Sequence, residues 1–401
     1  MKKMGLLPKI IIAIILGVVI GSISPEPVVK VLATFSGIFG NFLGFIIPLI
    51  IIGFIAPGIG ELGKGAGKLL GITTAFSYGS TIIAGGIAYA VGSYLFPKML
   101  TVGQLSSFVN NPEEALTQPY FVIDMPPIMG VMTALLFAFT IGLGSAAIKG
   151  ASLQKVMIDV RDIVEKCISA IIIPLLPIHI MSVFSNLTYG GQVQTIISVF
   201  FKVFMVIIAL HIIYILMQYA LASTVSKTSF LSMLKNMLPV YMTAIGTQSS
   251  AATIPVTLRQ VKENKVSNQI ADFVVPLCAT IHLSGSTITL VSCSMAVMML
   301  NGMSTSVAVM LPFILMLGIT MVAAPGVPGG AVMAAIGLLE TMLGFTPTLT
   351  SLMIALYLAQ DSFGTACNVT GDGAIAVLTD RFSGGNKKEH METSKQSILE
   401  V

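Results

Sequence analysis

Charged residues are scarce in this chain. Lysine, arginine, aspartate and glutamate make up 9% of its 401 residues, whereas 55% are hydrophobic. Soluble globular proteins carry about 25% charged residues. The mean hydropathy of +0.94 points the same way. This composition excludes a soluble globular domain and predicts an all-α protein that crosses a membrane several times.

Other signals are missing as well. Lysines and arginines are spread between apolar segments and form no basic face, so the net charge of +4 does not indicate nucleic-acid binding. The GxxxxGK[ST] signature is absent, which argues against a nucleotide-driven pump. The cysteines Cys167, Cys278, Cys293 and Cys367 show neither CxxC spacing nor pairing, and we interpret them as packed thiols.

Apolar stretches long enough to span a membrane recur along the chain. The first, Leu6–Ile23, follows a positive start without a small-residue cleavage site. Met1–Ser22 is therefore interpreted as part of a retained span rather than a signal peptide. Five further spans are predicted at about Val29–Pro57, Leu70–Leu95, Pro126–Ile148, Ile168–Phe184 and Val193–Ala222. The polar segment Phe96–Pro126 is predicted to be an external loop.

Two later apolar regions are interrupted. Leu234–Lys265 contains GTQSSAATIPVT between basic flanks, and Val307–Leu343 contains APGVPGG between nearly uncharged flanks. Each is predicted to enter and leave the membrane on one side, as a re-entrant helical hairpin. Non-helical backbone at membrane depth is tolerated only where it is buried in protein or lines a cavity. With the remaining spans, this pattern predicts eight transmembrane helices and two opposed hairpins whose tips border one site.

The distribution of basic residues predicts the topology. With the N-terminus in the cytoplasm, all 21 lysines and arginines except Lys30, Lys98 and Lys202 fall on the cytoplasmic side. We therefore expect a multi-pass protein of the cell (inner) membrane with both termini in the cytoplasm. The polar tail Arg381–Val401 is predicted to be cytoplasmic too.

The segment Ala359–Asp372, AQDSFGTACNVTGD, places two carboxylates inside a long apolar region. At 100° per residue, Asp361, Thr365, Asn368 and Asp372 fall within about 60° of one another on a helix. Acidic groups at membrane depth are costly unless they face a cavity, a cation or a partner. Either acid alone could be a structural group paired with a hydroxyl, but the shared stripe predicts a site inside the bilayer.

Four motifs in order, TQSSAATIPVT, PLCATIHLSGST, APGVPGG and QDSFGTACNVTGD, resemble those of the dicarboxylate/amino acid:cation symporters, the glutamate-transporter family. The resemblance covers the C-terminal half closely and the N-terminal half in its pattern of spans. QDSxxTAxN and SSAAxIPV are most similar to the branch that transports serine and threonine with sodium. The resemblance implies a secondary active symporter rather than an enzyme, surrounded by membrane lipid and assembled as a homotrimer.

The family's elevator-type mechanism implies a transport domain that slides past a scaffold. Scaffold segments would be 1–68 (spans one and two) and 97–187 (the external loop with spans four and five). Transport segments would be 69–96 (span three), 188–228 (span six) and 229–380 (both hairpins with spans seven and eight). Residues 381–401 would form the tail.

The resemblance also implies roles for individual residues. Asp361 would bind the α-ammonium group of the substrate, and backbone N–H groups at the hairpin tips would bind its α-carboxylate. The substrate-binding residues implied are Ser249, Ser250, Ser286, Val327, Gly329, Asp361, Gly364, Thr365 and Asn368.

Na⁺ is the implied coupling ion, and no organic cofactor is implied. Asn368 and Asp372, with the backbone carbonyls of Cys278 and His282, would form one sodium site. A second would use the carbonyl of Thr280 and the stretch before Pro325.

Two departures from the family pattern change the prediction. Gly364 stands where members with acidic substrates carry an arginine, so a second carboxylate would lack its bidentate partner. We therefore predict a small neutral substrate, with Gly364 leaving room for its side chain. His282–Ser286 reads HLSGS where the family commonly reads NMDGT, which changes both side-chain ligands of a third cation site. Ser77 would be another ligand there, and we predict two coupled sodium ions.

Several alternatives stay open. The chain could carry dicarboxylates or acidic amino acids, act as an exchanger, or form a passive channel. A proton on His282 could couple neutral amino-acid transport to pH, or His282 could be a neutral histidine bonded within the seventh span. An intramembrane hydrolase would use Ser284 or Ser286 with His282. His179 and His211 are interpreted as buried or interfacial residues.

Overall fold

The structure, a computed structural model, describes residues 6–62, 68–103, 116–148, 152–191, 193–322, 324, 326 and 328–383. All regular secondary structure in these ranges is helical. Val327, Pro325 and most of the C-terminal tail lie outside the described residues, so the predictions made for them stay predictions.

Fourteen helices are named here in chain order. They are α1 (Leu6–Ile23), α2 (Glu26–Leu62), α3 (Lys68–Met99), α4 (Val131–Ala147), α5 (Ser152–Cys167), α6 (Ile173–Tyr189), α7 (Val193–Ser226), α8 (Phe230–Thr247), α9 (Ser250–Glu263), α10 (Asn268–Ile281), α11 (Ser284–Leu300), α12 (Val307–Met321), α13 (Gly330–Leu343) and α14 (Pro347–Ser383).

Many of these helices have the length and composition of membrane spans. Five helical stretches of the described chain are long and apolar enough to cross a membrane: Glu26–Pro57, Leu69–Met99, Ser152–Tyr189, Ile197–Ser226 and Asn268–Leu300. Shorter apolar helices include Pro8–Ile23 and Val307–Met321. The chain is therefore an all-helical membrane protein.

Two predicted boundaries were wrong. Helix α3 continues through Pro97 to Met99, so the predicted external loop does not begin at Phe96. The following span begins only at Val131, because residues 117–130 run without a helix. That segment lies along α2, where the amide of Tyr120 donates to the hydroxyl of Thr34.

Helices α5 and α6 form one continuous helical run. A π-helical turn, Ile168–Ile172, joins them. Prolines at positions 174 and 177 lack the N–H that would bond to the preceding turn, which accounts for the irregular winding at this point. The charged stretch and the fifth predicted span therefore share one axis from Ser152 to Tyr189.

Three of the helical regions are interrupted by short stretches of irregular backbone. Helices α8 and α9 are separated at Gln248 and Ser249, and α12 ends at Met321 before α13 begins at Gly330, as the sequence predicts. The third break was not predicted. The seventh span is interrupted between α10 and α11 at His282, which is extended, and Leu283, which is not helical either.

The helices pack as two sets. Helices α1, α2, α4, α5 and α6 pack mainly on one another, and we call them the first bundle. Helices α3 and α7–α14 form the second bundle, in which α14 touches α3, α7, α8, α9, α10 and α11. Contacts between the bundles are sparse and involve chiefly α13 and α14. All of α11 and nearly all of residues 350–380 are buried, so the polar stripe of α14 lies in the core of the second bundle.

Candidate functional site

Asp361 lies in the middle of α14 and is buried. Its Oδ2 accepts a 2.7 Å hydrogen bond from the backbone N–H of Gly329, the residue that caps α13. Gly329 has a φ of +75°, a conformation that favours glycine, and a Cβ there would lie 2.9 Å from Leu358 Cδ2. The glycine thus allows the positive end of helix α13 to approach the carboxylate directly.

The connection between α8 and α9 reaches the same place. Ser249 Oγ donates to the carbonyl of Gly326, at 2.7 Å, and also accepts from Ala252 N as the N-cap of α9. The amide of Gln248 donates to Ser362 Oγ on α14, at 2.8 Å. Both irregular connections of the second bundle therefore meet on the central stretch of α14.

A small cavity lies where they meet. Its lining consists of Gln248, Ser250, Leu283, Ser286, Gly326, Ala331, Tyr357, Asp361, Thr365 and Asn368. Asp361 is the only charged residue among these. The cavity volume is about 10 Å³, room for about one water molecule. An amino acid could enter only if the two connections move away from α14.

Asn368 joins α14 to the start of α11. Its Oδ1 accepts hydrogen bonds from the backbone amides of Gly285 and Ser286, at 2.7 and 3.2 Å. Its Nδ2 donates to Ser286 Oγ, at 2.9 Å. The first N–H groups of a helix have no partner within that helix, so the amide of Asn368 satisfies two of them. The Tyr357 hydroxyl donates to the same Ser286 Oγ, at 2.9 Å.

Asp372 is paired with the histidine at the α10–α11 break. His282 Nδ1 lies 2.8 Å from Asp372 Oδ1, and both side chains are buried. On the other side of the ring, Nε2 lies 2.9 Å from Ser80 Oγ of α3. Tyr214 and Gln218 of α7 also reach Ser80 Oγ, at 2.9 and 3.0 Å. The break thus ties α3, α7 and α14 together through one imidazole.

The order Ser80, His282, Asp372 is that of a hydrolase triad. Ser80 Oγ is nevertheless already bonded by two other side chains, and it does not line the cavity described above. The serines suggested by the sequence are not placed as nucleophiles either. Ser286 Oγ accepts hydrogen bonds from Tyr357 and Asn368 rather than bonding to His282.

The predicted sodium ligands have protein partners in this conformation. Asn368 is bonded to α11, and a sodium ion at Asp372 would share the carboxylate with His282. The Cys278 carbonyl accepts from His282 N at the end of α10, and Ser77 Oγ lies 3.5 Å from Cys278 Sγ. Thr280 is exposed and does not line the cavity. Within the described residues, no three His, Cys, Asp or Glu side chains cluster as a metal site.

Gly364 lies against the start of α11. A Cβ added there would have Ser286 N and Thr289 Oγ1 as its nearest neighbours, both at 3.6 Å, which is ordinary van der Waals contact. The cavity lining does not include Gly364. A small side chain therefore fits at this position, and the predicted role of Gly364 in selectivity stays a prediction.

Two polar residues that line the cavity, Tyr357 and Gln248, were not predicted from the sequence. The signal for Tyr357 was available, because it precedes Asp361 by four residues and falls 40° from it, on the same stripe. Gln248 lies inside the GTQSS interruption and has a left-handed φ of +54°. Tyr214 and Gln218 were missed too, although their four-residue spacing on α7 places them on one helix face.

The two remaining described histidines are buried. His211 Nε2 lies 3.0 Å from the Gly285 carbonyl. His179 Nδ1 lies 3.1 Å from Ser36 Oγ in the first bundle, and its Nε2 lies 3.1 Å from Ser351 Oγ in the second. His179 therefore joins the two bundles through hydrogen bonds on both sides of its ring.

Comparisons with known proteins agree with the motif order. Residues 6–382 match the profile described as the sodium:dicarboxylate symporter family. The serine/threonine transporter SstT of Streptococcus suis is 27% identical over 348 residues, covering 83% of this chain and 94% of the relative. Transporters with the same name from Acinetobacter baylyi and Acinetobacter baumannii are 23% and 24% identical over 406 residues. These cover 95% and 94% of this chain, and 98% and 97% of the relatives.

Proposed function

The chain belongs to the sodium:dicarboxylate symporter family, and from that premise we propose that it takes up a small neutral amino acid together with sodium. Serine, threonine and alanine are the substrates proposed. The names of the relatives support serine and threonine.

The observation that carries the proposal is the charge inside the cavity. Asp361 supplies one negative charge, and no described lining residue supplies a positive one. A substrate ammonium would thus find a desolvated carboxylate, which strengthens a charge-assisted hydrogen bond. The α-carboxylate would be bound by backbone N–H groups at the starts of α9 and α13. A second carboxylate would find no counter-charge, so the cavity favours neutral amino acids over dicarboxylates.

Binding requires the cavity to open. The Gly329 N–H is hydrogen-bonded to the Asp361 carboxylate, which the ammonium would use. The hydrogen bond from Ser249 to Gly326 holds the α8–α9 and α12–α13 connections together. In the proposed sequence of events, the α12–α13 connection moves away, the ammonium replaces the Gly329 N–H on Asp361, and the connection closes over the bound substrate.

Sodium is a co-transported substrate in this proposal. Asn368 and Asp372 offer hard oxygen ligands about two and three turns from Asp361, on the same stripe of α14. Two ions are proposed, because His282 rather than a second acid faces Asp372 from the α10–α11 break. The ion gradient supplies the energy for accumulation.

Alternating access is proposed to be a sliding of the second bundle past the first. The dense packing within each bundle and the sparse packing between them support this division into transport domain and scaffold. Helices α8–α9 and α12–α13 are proposed as opposed re-entrant hairpins, with eight membrane crossings and both termini in the cytoplasm. A homotrimer is proposed from the family resemblance.

Purified protein in liposomes tests this function. With sodium outside and potassium inside, labelled serine, threonine or alanine should accumulate above its outside concentration, and equal sodium on both sides should abolish accumulation. Equilibration without accumulation under the gradient would overturn symport. Stronger accumulation of aspartate than of serine would overturn the neutral specificity.

A further inference from the structure

Tyr357 projects from α14 one turn before Asp361, and its buried ring lines the cavity. The hydroxyl lies 2.9 Å from Ser286 Oγ and is also within hydrogen-bonding reach of the Asp361 carboxylate, so two acceptors share its one hydrogen. Tyr357 is thus the one aromatic residue among the described residues of the cavity. The proposed roles of Asp361 in binding the ammonium and of Asn368 and Asp372 in binding sodium do not explain why a tyrosine lies at this position.

The hydroxyl groups of Tyr357 and Ser286 can each form one more hydrogen bond. When the substrate ammonium occupies the Asp361 carboxylate, Tyr357 can donate its single hydrogen to Ser286, and its oxygen can still accept. Ser286 Oγ accepts from both Tyr357 and Asn368, so its own hydrogen is still available to donate. Both side chains line the cavity. Together they offer it one acceptor and one donor.

A hydroxyl group complements such a pair, because it donates one hydrogen bond and accepts another. A methyl group uses neither function, and a carboxylate can only accept. The pair is therefore matched to an alcohol, which distinguishes serine and threonine from alanine.

The position of the pair fits the same substrates. Residues four apart on a helix are neighbours on one face, so Tyr357 adjoins Asp361. In serine and threonine, the hydroxyl is separated from the ammonium by two carbon atoms. An ammonium bound to Asp361 would place that hydroxyl within reach of Tyr357 and Ser286.

We propose that Tyr357 and Ser286 form the subsite that recognises the hydroxyl group of the transported amino acid, with Tyr357 as a specificity-determining residue. This inference rests on the proposed function, in which Asp361 binds the ammonium. A hydroxyl buried without partners loses affinity, so the subsite determines the preference for serine and threonine over alanine.

The test is a comparison of binding constants for serine, threonine and alanine in sodium. In Tyr357→Phe, the dissociation constants of serine and threonine should rise about 3- to 10-fold, whereas that of alanine should stay within about 2-fold. Ser286→Ala should shift selectivity in the same direction. Tyr219→Phe is the matched control, because Tyr219 is also buried against α14 but donates to the Thr370 carbonyl outside the cavity. It should leave selectivity unchanged.

The outcomes separate the subsite from the proposed function. Equal weakening of serine and alanine in Tyr357→Phe would overturn the subsite and indicate that the pair binds the common α-carboxylate. Unchanged affinities for all three amino acids would overturn it too. If the wild-type protein bound none of the neutral amino acids, the proposed function would fail, and the subsite with it. Thermal unfolding of each variant shows whether it is folded before binding is measured.

Discussion

The backbone N–H of Gly329 donates to the Asp361 carboxylate at 2.7 Å. This bond joins the start of α13 to the polar stripe of α14, where the sequence predicts substrate recognition. It occupies Oδ2, one of the two oxygen atoms that a substrate ammonium could use. Closure of the empty cavity through Gly329 and binding of the ammonium are therefore competing uses of one carboxylate.

Gly364→Arg should create binding of aspartate or glutamate. The position tolerates a Cβ, with its nearest neighbours at 3.6 Å, and once the cavity opens for substrate a guanidinium there could pair with a second carboxylate in a bidentate arrangement. We expect aspartate binding to strengthen at least about 10-fold, measured by calorimetry in sodium. Gly364→Gln, which is long but neutral, is the control. Equal aspartate affinity in the Arg and Gln variants would contradict this account of specificity.

His282→Ala should make stability depend on sodium. The substitution leaves the buried Asp372 carboxyl without its hydrogen-bond partner, which costs about 1–3 kcal/mol in the free energy of unfolding. A sodium ion at the carboxylate would restore part of that loss. The midpoint of thermal unfolding in NaCl relative to choline chloride should therefore rise more in the variant than in the wild type. The additional substitution Asp372→Asn should remove this extra rise, and its persistence would refute the interpretation.

Gly285→Ala should destabilise the second bundle. The added methyl group would collide with the Gly364 carbonyl and lie 2.5 Å from Cys367 Cβ, and backbone cannot rotate away. Overpacking of this kind costs about 1–3 kcal/mol. Gly364→Ala is the control from the facing helix, and its gain in helix propensity of up to about 1 kcal/mol meets no close contact. We expect a lower unfolding temperature only for Gly285→Ala. Equal unfolding temperatures would contradict the close approach of α11 and α14.

Ser351→Ala should accelerate the exchange of substrate between the two sides of the membrane. It removes the hydrogen bond between His179 and α14, which the proposed sliding of the bundles would have to break. A bond of this kind contributes about 0.5–1.5 kcal/mol, so the rate should rise about 2- to 10-fold while the dissociation constant stays constant. Ser182→Ala is the control, since that hydroxyl donates within its own helix to Ile178. An unchanged rate would mean that this contact does not oppose the motion.

Helix positions were largely predictable, because apolar runs of membrane length are recognisable from the sequence alone. The stripe on α14 was predictable for the same reason: Asp361 and Asp372 conflict with their apolar surroundings and share a helical phase. The break at His282 was not, since neither glycine nor proline occurs at positions 281–284. What holds His282 in place is a set of bonds to Ser80 and Asp372, which are 202 and 90 residues away in sequence. Periodicity carries no information on such partners.

The turn between α8 and α9 shows a related limit. The interruption was predictable from its small and hydroxyl residues, but the left-handed residue is Gln248 rather than Gly246. Its side chain is fixed by Ser362, a contact between distant segments. Local turn preferences therefore located the break without identifying the residue that makes it.

The central claim is that Asp361 binds the substrate's ammonium group, and the binding of serine to Asp361→Asn in sodium tests it most directly. The asparagine keeps the shape and can still accept from Gly329, but it removes the charge. We expect the dissociation constant of serine to rise at least about 10- to 100-fold, with an unfolding temperature close to the wild type. Asp272→Asn, which removes an exposed ion pair with Lys262, should bind serine normally. Serine binding to Asp361→Asn with wild-type affinity would contradict the claim.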